Sequence, residues 1–150
     1  MLPRSINGTA SHALDYDDVN ISLAGHPSVA LLPGILALGE ALGASGRDVT
    51  LAFVTGWEAQ AHIGHGVHMH HYEKGWHPTS TLGVFGAAAA CLKLLRLDNA
   101  KTAHALALCA SLAAGVKSNL GPMAKPMHIG NAARSGLLAA QLAAEGFTGI

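Results

Sequence analysis

Apolar residues recur every three to four positions along most of this chain, and this period predicts amphipathic helices. Val49, Phe53 and Trp57, for example, lie four residues apart on one stripe. The hydrophobic half of the composition is mainly Ala and Leu, which are the strongest helix formers. The predicted helices cover residues 28–42, 46–70, 79–95, 98–115 and 128–145. The sequence therefore predicts an all-α fold, a bundle of about five Ala-rich helices.

Capping residues support these boundaries. Gly43 follows the first predicted helix as a C-terminal cap, and Pro33 is expected in that helix's first turn, where proline is tolerated. Thr79 or Ser80 could cap the third helix, and Asp98 the fourth. Residues 1–27 are rich in turn formers and are predicted to be a loop that could include a short helix.

Charge and composition exclude several classes of protein. Lys and Arg together number nine, as do Asp and Glu, so no strong field would attract nucleic acid or an anionic membrane. The longest apolar runs are shorter than the roughly 20 residues of a membrane span, and the N-terminus is no signal peptide. Cys91 and Cys109 lie in apolar helical patterns and are expected to be buried and free. We expect a cytoplasmic protein without nucleic-acid or membrane partners.

Polar residues concentrate in three loops next to helix N-termini, at residues 15–26, 74–79 and 125–131. Free backbone N–H groups and a partial positive charge at such termini favour carboxylate binding. If the loops converge, they would form an anion-binding pocket with acid and base groups. The alternative is ordinary turns, with Asp17 and Asp18 as a solvated turn or Asx cap.

Histidines at positions 62, 65, 68 and 71 suggest a metal site, because residues three apart can meet on a helix. The row drifts around the helix axis, however, and has neither cysteine nor a His-Glu-x-x-His motif. We therefore predict no metal, and a His-rich metal-binding protein is the least favoured reading.

Three ordered segments resemble the signatures of the MmgE/PrpD family. The first joins NGTASHALDYDD at residues 7–18 to GHPS at 25–28, the second begins with GWHPT at 75–79 and continues to residue 90, and the third is MAKPMHIGNAARSG at 123–136. These matches span nearly the whole chain. The chain resembles the central part of the family's helical domain.

The resemblance implies a helical domain that forms most of a deep active site, covered by a separate α+β domain. The family includes 2-methylcitrate dehydratase, cis-aconitate decarboxylase and iminodisuccinate epimerase. These enzymes use no cofactor, act on small polycarboxylates and are usually homodimers. The resemblance implies a lyase of the 2-methylcitrate dehydratase type, with dehydration, decarboxylation and epimerisation left open.

Carried over by motif, the catalytic residues would be Asp15, His26, His77 and Lys125, with His128 as a substrate-binding neighbour. His77 and His26 would transfer protons, Lys125 would hold a carboxylate, and Asp15 would orient a histidine or bind a hydroxyl. These residue types suit acid–base chemistry on a polyanion, in which an enolate-like charge develops.

The chain departs from the family pattern in two respects. Val19 stands where relatives commonly have threonine, so one hydroxyl is missing. Residues 1–150 would be a partial helical domain, lacking N-terminal helices and the α+β domain, and we expect it to self-associate and to be weakly active or inactive alone. The alternative function is a non-catalytic carboxylate-binding or oligomerisation module.

Overall fold

The computed structural model describes residues 2–150, which form seven α-helices and one short 3₁₀ helix. The elements are α1 (Leu2–Ser11), α2 (Pro27–Leu42), α3 (Gly46–Glu73), α4 (Pro78–Thr81), α5 (Gly83–Leu95), α6 (Asn99–Leu112), η1 (Lys117–Asn119) and α7 (Ala124–Ala144). No strand forms between residues 2 and 150, where the β-type pairings are the isolated bridges Asn20 to Gly25 and Trp76 to Val116. The predicted all-α fold is confirmed.

The five predicted helices correspond to α2, α3, the α4–α5 pair, α6 and α7. Helix α1 is the short helix that residues 1–27 were expected to allow, although Asn7 and Gly8 suggested a turn at its position. The helix forms since Gly8 lets it pack closely on α7, where a Cβ at Gly8 would lie only 2.8 Å from Gly130 Cα. Tertiary packing here outweighs local propensity.

Two predicted details near helix N-termini are wrong. Helix α2 already begins at Pro27, so Pro33 lies in the helix interior rather than in the first turn. Neither Thr79 nor Ser80 caps a helix: the N-cap of α4 is His77, which makes no side-chain cap bond. A His-Pro dipeptide sets the start of both α2, at Pro27, and α4, at Pro78. Proline lacks an N–H and is pre-organised for the first helical position.

Two other predicted helix ends are confirmed, whereas α6 ends at Leu112, three residues before the predicted end. Gly43 ends α2 in the left-handed conformation at φ 62°, which glycine adopts without strain. The Asp98 carboxylate accepts the backbone N–H of Lys101 at 2.9 Å and caps α6. Helix α7 starts at Ala124, four residues before the predicted start, so Lys125 and His128 both belong to its first turns.

Helix α5 lies at the centre of the bundle and packs against α2, α3, α6 and α7. Small residues allow this: a Cβ at Gly56 of α3 would lie 2.6 Å from Gly86 O of α5, and one at Gly136 of α7 would lie 2.6 Å from Val84 O. The largest apolar cluster, which includes Leu31, Ile35, Cys91 and Leu137, surrounds this helix.

The two cysteines are buried and free, as predicted. Burial disfavours the thiolate and raises the pKa of both Cys91 and Cys109 to about 12. Both thiols therefore act as small apolar groups of the core.

The segment Pro78–Leu95 is long and apolar enough to meet the criteria for a membrane span, with a mean hydropathy of 1.3 over 18 residues. Within the fold, however, 78% of this window is buried against other helices. A core helix of a water-soluble bundle has the same properties, and the burial favours that reading.

Close packing also joins the polar loops at one end of the bundle. The backbone N–H of His26 donates to Thr79 Oγ1 at 3.2 Å, and a Cβ at Gly25 would lie 2.6 Å from the same oxygen. Ser80 Oγ donates to His128 O at 3.2 Å. The N-termini of α2, α4 and α7 therefore meet.

The glycine contacts generate a stability prediction. Gly136→Ala should destabilise the chain by about 1–3 kcal/mol, because the new methyl would press on the backbone of α5. Gly66→Ala is the matched control, since a Cβ there would meet nothing within 4 Å, and it should be neutral or stabilising by about 0.5–1 kcal/mol. Urea unfolding followed by circular dichroism measures both. Equal changes in the free energy of unfolding for the two variants would show that α5 and α7 leave room for a methyl group at residue 136.

Candidate functional site

The loop between α1 and α2 carries three carboxylates that bind different partners. Asp15 Oδ1 accepts from Lys125 Nζ at 2.8 Å, a contact between residues 110 positions apart. Asp15 has φ 58°, a left-handed conformation that aspartate tolerates better than most residues. The hydrogen bond from Lys125 lowers the pKa of Asp15, although this carboxylate is 53% exposed.

Asp17 is the buried carboxylate of the loop, with 7% of its side chain exposed. Its Oδ2 lies 2.8 Å from His12 Nδ1 and 3.0 Å from His26 Nδ1. The two rings meet edge to face with centroids 4.7 Å apart. Burial lowers the pKa of His12 even though Asp17 opposes the shift, so His12 is neutral at neutral pH.

Asp18 has a structural contact. Its two carboxylate oxygens accept the backbone N–H of Ser28 at 3.1 Å and the Ser28 hydroxyl at 2.7 Å, both in the first turn of α2. Asp18 therefore binds the start of α2 from ten residues away rather than as a local Asx cap, and Asp17 is not a solvated turn residue.

His77 and His128 form a second, buried pair. Their Nδ1 atoms lie 3.1 Å apart, and the backbone of His77 is fixed by its N–H, which donates to Gly115 O at 3.1 Å. Burial, together with the charge of neighbouring groups, lowers the pKa of His77 to about 3, and burial also lowers the pKa of His128. Because only one of two facing Nδ1 atoms can carry the shared hydrogen, the two neutral rings must be opposite tautomers.

Ring contacts join the two groups. The rings of His12 and His77 stack with centroids 6.3 Å apart and planes inclined by 25°. The structure therefore places all five predicted site residues in one cluster at one end of the bundle: Asp15, His26, His77, Lys125 and His128. Their catalytic and substrate-binding roles remain predictions.

The cluster opens on one side into a cavity of about 810 Å³. His12, Asp15 and Lys125 line it together with apolar residues of α1 and the loop before α7, including Ile6 and Met123. The other predicted residues do not line this cavity, and the ring of His77 connects to it through His12. The cavity is large enough for a small organic acid, with the ion pair at its wall.

Sequence reasoning missed His12 and Asp17. Both lie in the first family-like segment, but Asp17 suggested a turn, and nothing in the periodicity singled out His12. A fully buried histidine next to a helix whose position was not predicted has no local signal, so only the packing of α1 shows its role.

The histidine row of α3 does not converge. His62 is 85% exposed beside Glu58, whereas His71 Nε2 lies 2.7 Å from Thr81 Oγ1. The side chain of His68 lies outside the described residues.

Among the described side chains, metal-ligand spacing occurs at the site itself, where His12, Asp15, Asp17 and His26 each offer an atom within 4.8 Å of the others. Two of the oxygens in this group already accept from Lys125 and His12. A cation would therefore compete with existing bonds, and the expectation that no metal is used stays a prediction.

Residues 5–150 match the family profile of the MmgE/PrpD N-terminal domain. The chain belongs to the MmgE/PrpD family. It is 42% identical over 149 residues to the cis-aconitate decarboxylase of Homo sapiens, covering 96% of this chain and 31% of that protein. The enzyme of Mus musculus is also 42% identical over 149 residues, covering 96% and 30%. That of Aspergillus terreus is 32% identical over 148 residues, covering 94% and 30%.

This MmgE/PrpD chain thus spans about a third of the length of these curated relatives. The MmgE/PrpD family predicted from the three segments is confirmed.

Lys125→Met should raise the pKa of Asp15 towards its ordinary value of 3.8, because the ammonium that stabilises the carboxylate is lost. The ion pair stabilises the fold above the unfolded-state pKa of Asp15, and this contribution is lost as the pH falls through the lowered folded-state value. Carboxyl carbon NMR shifts against pH measure the change. Lys117→Met, which removes a lysine lying 3.8 Å over the Tyr72 ring, is the control and should leave Asp15 unchanged.

His77 should make the fold acid-sensitive. Between pH 6.5 and about 3 the unfolded chain binds a proton at His77 that the folded chain does not, so the free energy of unfolding falls as the pH falls. His77→Gln should make this decline shallower, by up to about 1.4 kcal/mol per pH unit. Urea unfolding across that range tests it, with exposed His62→Gln as the control. An unchanged slope in His77→Gln would contradict burial of a neutral imidazole.

Proposed function

We propose that this chain provides carboxylate-binding and proton-transfer groups of a lyase that decarboxylates a small tricarboxylic acid, with cis-aconitate as the first candidate. The observation that supports this most is the Lys125 ammonium at the wall of the cavity, next to several imidazoles, of which His12 and His77 are held neutral by burial. The names of the relatives, cis-aconitate decarboxylases, favour this reaction over dehydration.

A tricarboxylate is recognised here through charge. Lys125 lies in the first turn of α7, so its ammonium and the N-terminal end of that helix would both attract a substrate carboxylate. Asp15 competes for the same ammonium at 2.8 Å. Substrate binding therefore requires Asp15 to release Lys125 or to share it, and the partial exposure of Asp15 permits such a movement.

Decarboxylation of cis-aconitate needs little beyond charge stabilisation and one proton. The bond to the carboxylate on the methylene carbon breaks, and its electron pair forms a new carbon–carbon double bond as CO₂ leaves. The electrons of the original double bond shift to the carbon beside a remaining carboxylate, and this carbon takes a proton. The negative charge that develops is enolate-like and spreads onto that carboxylate, where a cation stabilises it most.

The cluster offers a group for each requirement. Lys125 would hold the carboxylate on which charge develops. His26, which is partly exposed beside Asp15, would take up a proton from solvent at Nε2 and deliver it to carbon. His77, neutral above a pH of about 3, would accept or donate a hydrogen bond through its remaining nitrogen, with its tautomer set by His128.

The same groups would also serve related reactions on small polycarboxylates. Dehydration of 2-methylcitrate, the activity first predicted, needs the same cation with a base for a carbon-bound proton and an acid for the leaving hydroxyl. A location in the cytoplasm, a homodimeric state and chemistry without a cofactor also remain predictions. The second candidate is a carboxylate-binding module without turnover, in which the Lys125 ammonium at the cavity wall would hold the anion.

The test is to incubate the chain with cis-aconitate and follow CO₂ release and the five-carbon dicarboxylic product by NMR. We expect slow turnover, lowered in Lys125→Met by on the order of 10²–10³-fold in kcat/KM, the usual effect of removing a charge-stabilising group. Lys117→Met should match the parent chain. Binding of cis-aconitate without product would favour the second candidate, and absence of both would contradict the two proposals.

A further inference from the structure

We infer that Asp17 is a positioning residue that fixes the tautomer of His26, leaving His26 Nε2 free to exchange a proton with substrate. The inference deepens the proposed function and rests on it for the role of His26. It requires that one buried carboxylate oxygen accept Nδ1–H from two imidazoles.

The contacts of Asp17 support this assignment. Its Oδ2 lies 2.8 Å from His12 Nδ1 and 3.0 Å from His26 Nδ1, and its other oxygen, Oδ1, is buried without a hydrogen-bond partner. A carboxylate can only accept hydrogen bonds, so each ring facing it is favoured in the form that carries hydrogen on Nδ1. His26 Nε2 is then the nitrogen that faces Asp15, at 3.8 Å from Oδ1.

The contact with His26 is oblique, while that with His12 is well aligned. His26 Nδ1 lies within 3.0 Å of Oδ2 but not in the direction of a good hydrogen bond. Catalytic hydrogen bonds are often poorly aligned without substrate and tighten when it binds. The fully buried His12 has the complementary task of holding Asp17 in place next to His26 Nδ1.

The other two carboxylates of the loop bind other partners, so the inference applies to Asp17 alone. Asp15 is paired with Lys125, and Asp18 with Ser28 at the start of α2. Asp17 alone among the three contacts an imidazole at hydrogen-bond distance. Asp18→Asn is therefore a matched control: the same chemical change, one residue away, without contact to histidine.

The experiment records long-range ¹H–¹⁵N correlations of the imidazoles of the chain, at a pH where the rings are neutral. In the parent chain, His12 and His26 should both carry hydrogen on Nδ1. In Asp17→Asn, the tautomer ratio of His26 should change about tenfold towards Nε2–H, equivalent to one hydrogen bond of ordinary strength. Asp17→Glu should restore the parent tautomer, and Asp18→Asn should keep it.

Finding Nε2–H as the main form of His26 in the parent chain would overturn the inference, and this measurement needs no variant to fold. Equal changes in Asp17→Asn and Asp18→Asn would also overturn it. In the decarboxylation assay, Asp17→Asn should lower kcat on the order of 100-fold with little change in KM. The tautomer spectra require no turnover, so they decide the role of Asp17 even if the chain proves not to be a decarboxylase.

Discussion

The close approach of helix backbones at glycine is the constraint on which the rest of this fold depends. Gly56 faces Gly86, Gly136 faces the backbone of Val84, and Gly8 faces Gly130. A methyl group at these positions would lie within 3 Å of backbone atoms. Because the helices are so near to each other, short polar loops at one end of the bundle are brought within hydrogen-bond reach.

This proximity determines the electrostatics of the site. Helix packing buries His12, His77 and His128, and desolvation holds their pKa values below the ordinary range. The neutral rings can then interact without repulsion, which charged imidazoles at these distances would suffer. The positive charge of Lys125 lies instead at the cavity wall, paired with Asp15.

The loop between α1 and α2 carries three carboxylates within four residues, and the backbone geometry gives each of them a different partner. Asp15 is in the left-handed conformation and turns outward to Lys125, Asp17 turns inward to the histidines, and Asp18 binds the first turn of α2. This arrangement positions charge and imidazoles without specifying which bond would break.

The sequence by itself determined the helical class and the residue types of the site, because apolar period, Ala and Leu content and capping residues are local properties. It also located six of the seven helices, with α4 and α5 predicted as one. Gly43 ends α2 and Asp98 caps the start of α6, as local chemistry predicts. The tertiary structure alone decided where the short helix α1 lies within the turn-rich N-terminal residues, and that His12 and Asp17 belong to the site. Each of these depends on contacts between segments distant in the chain, and the burial that neutralises His77 exists only once those segments have packed together.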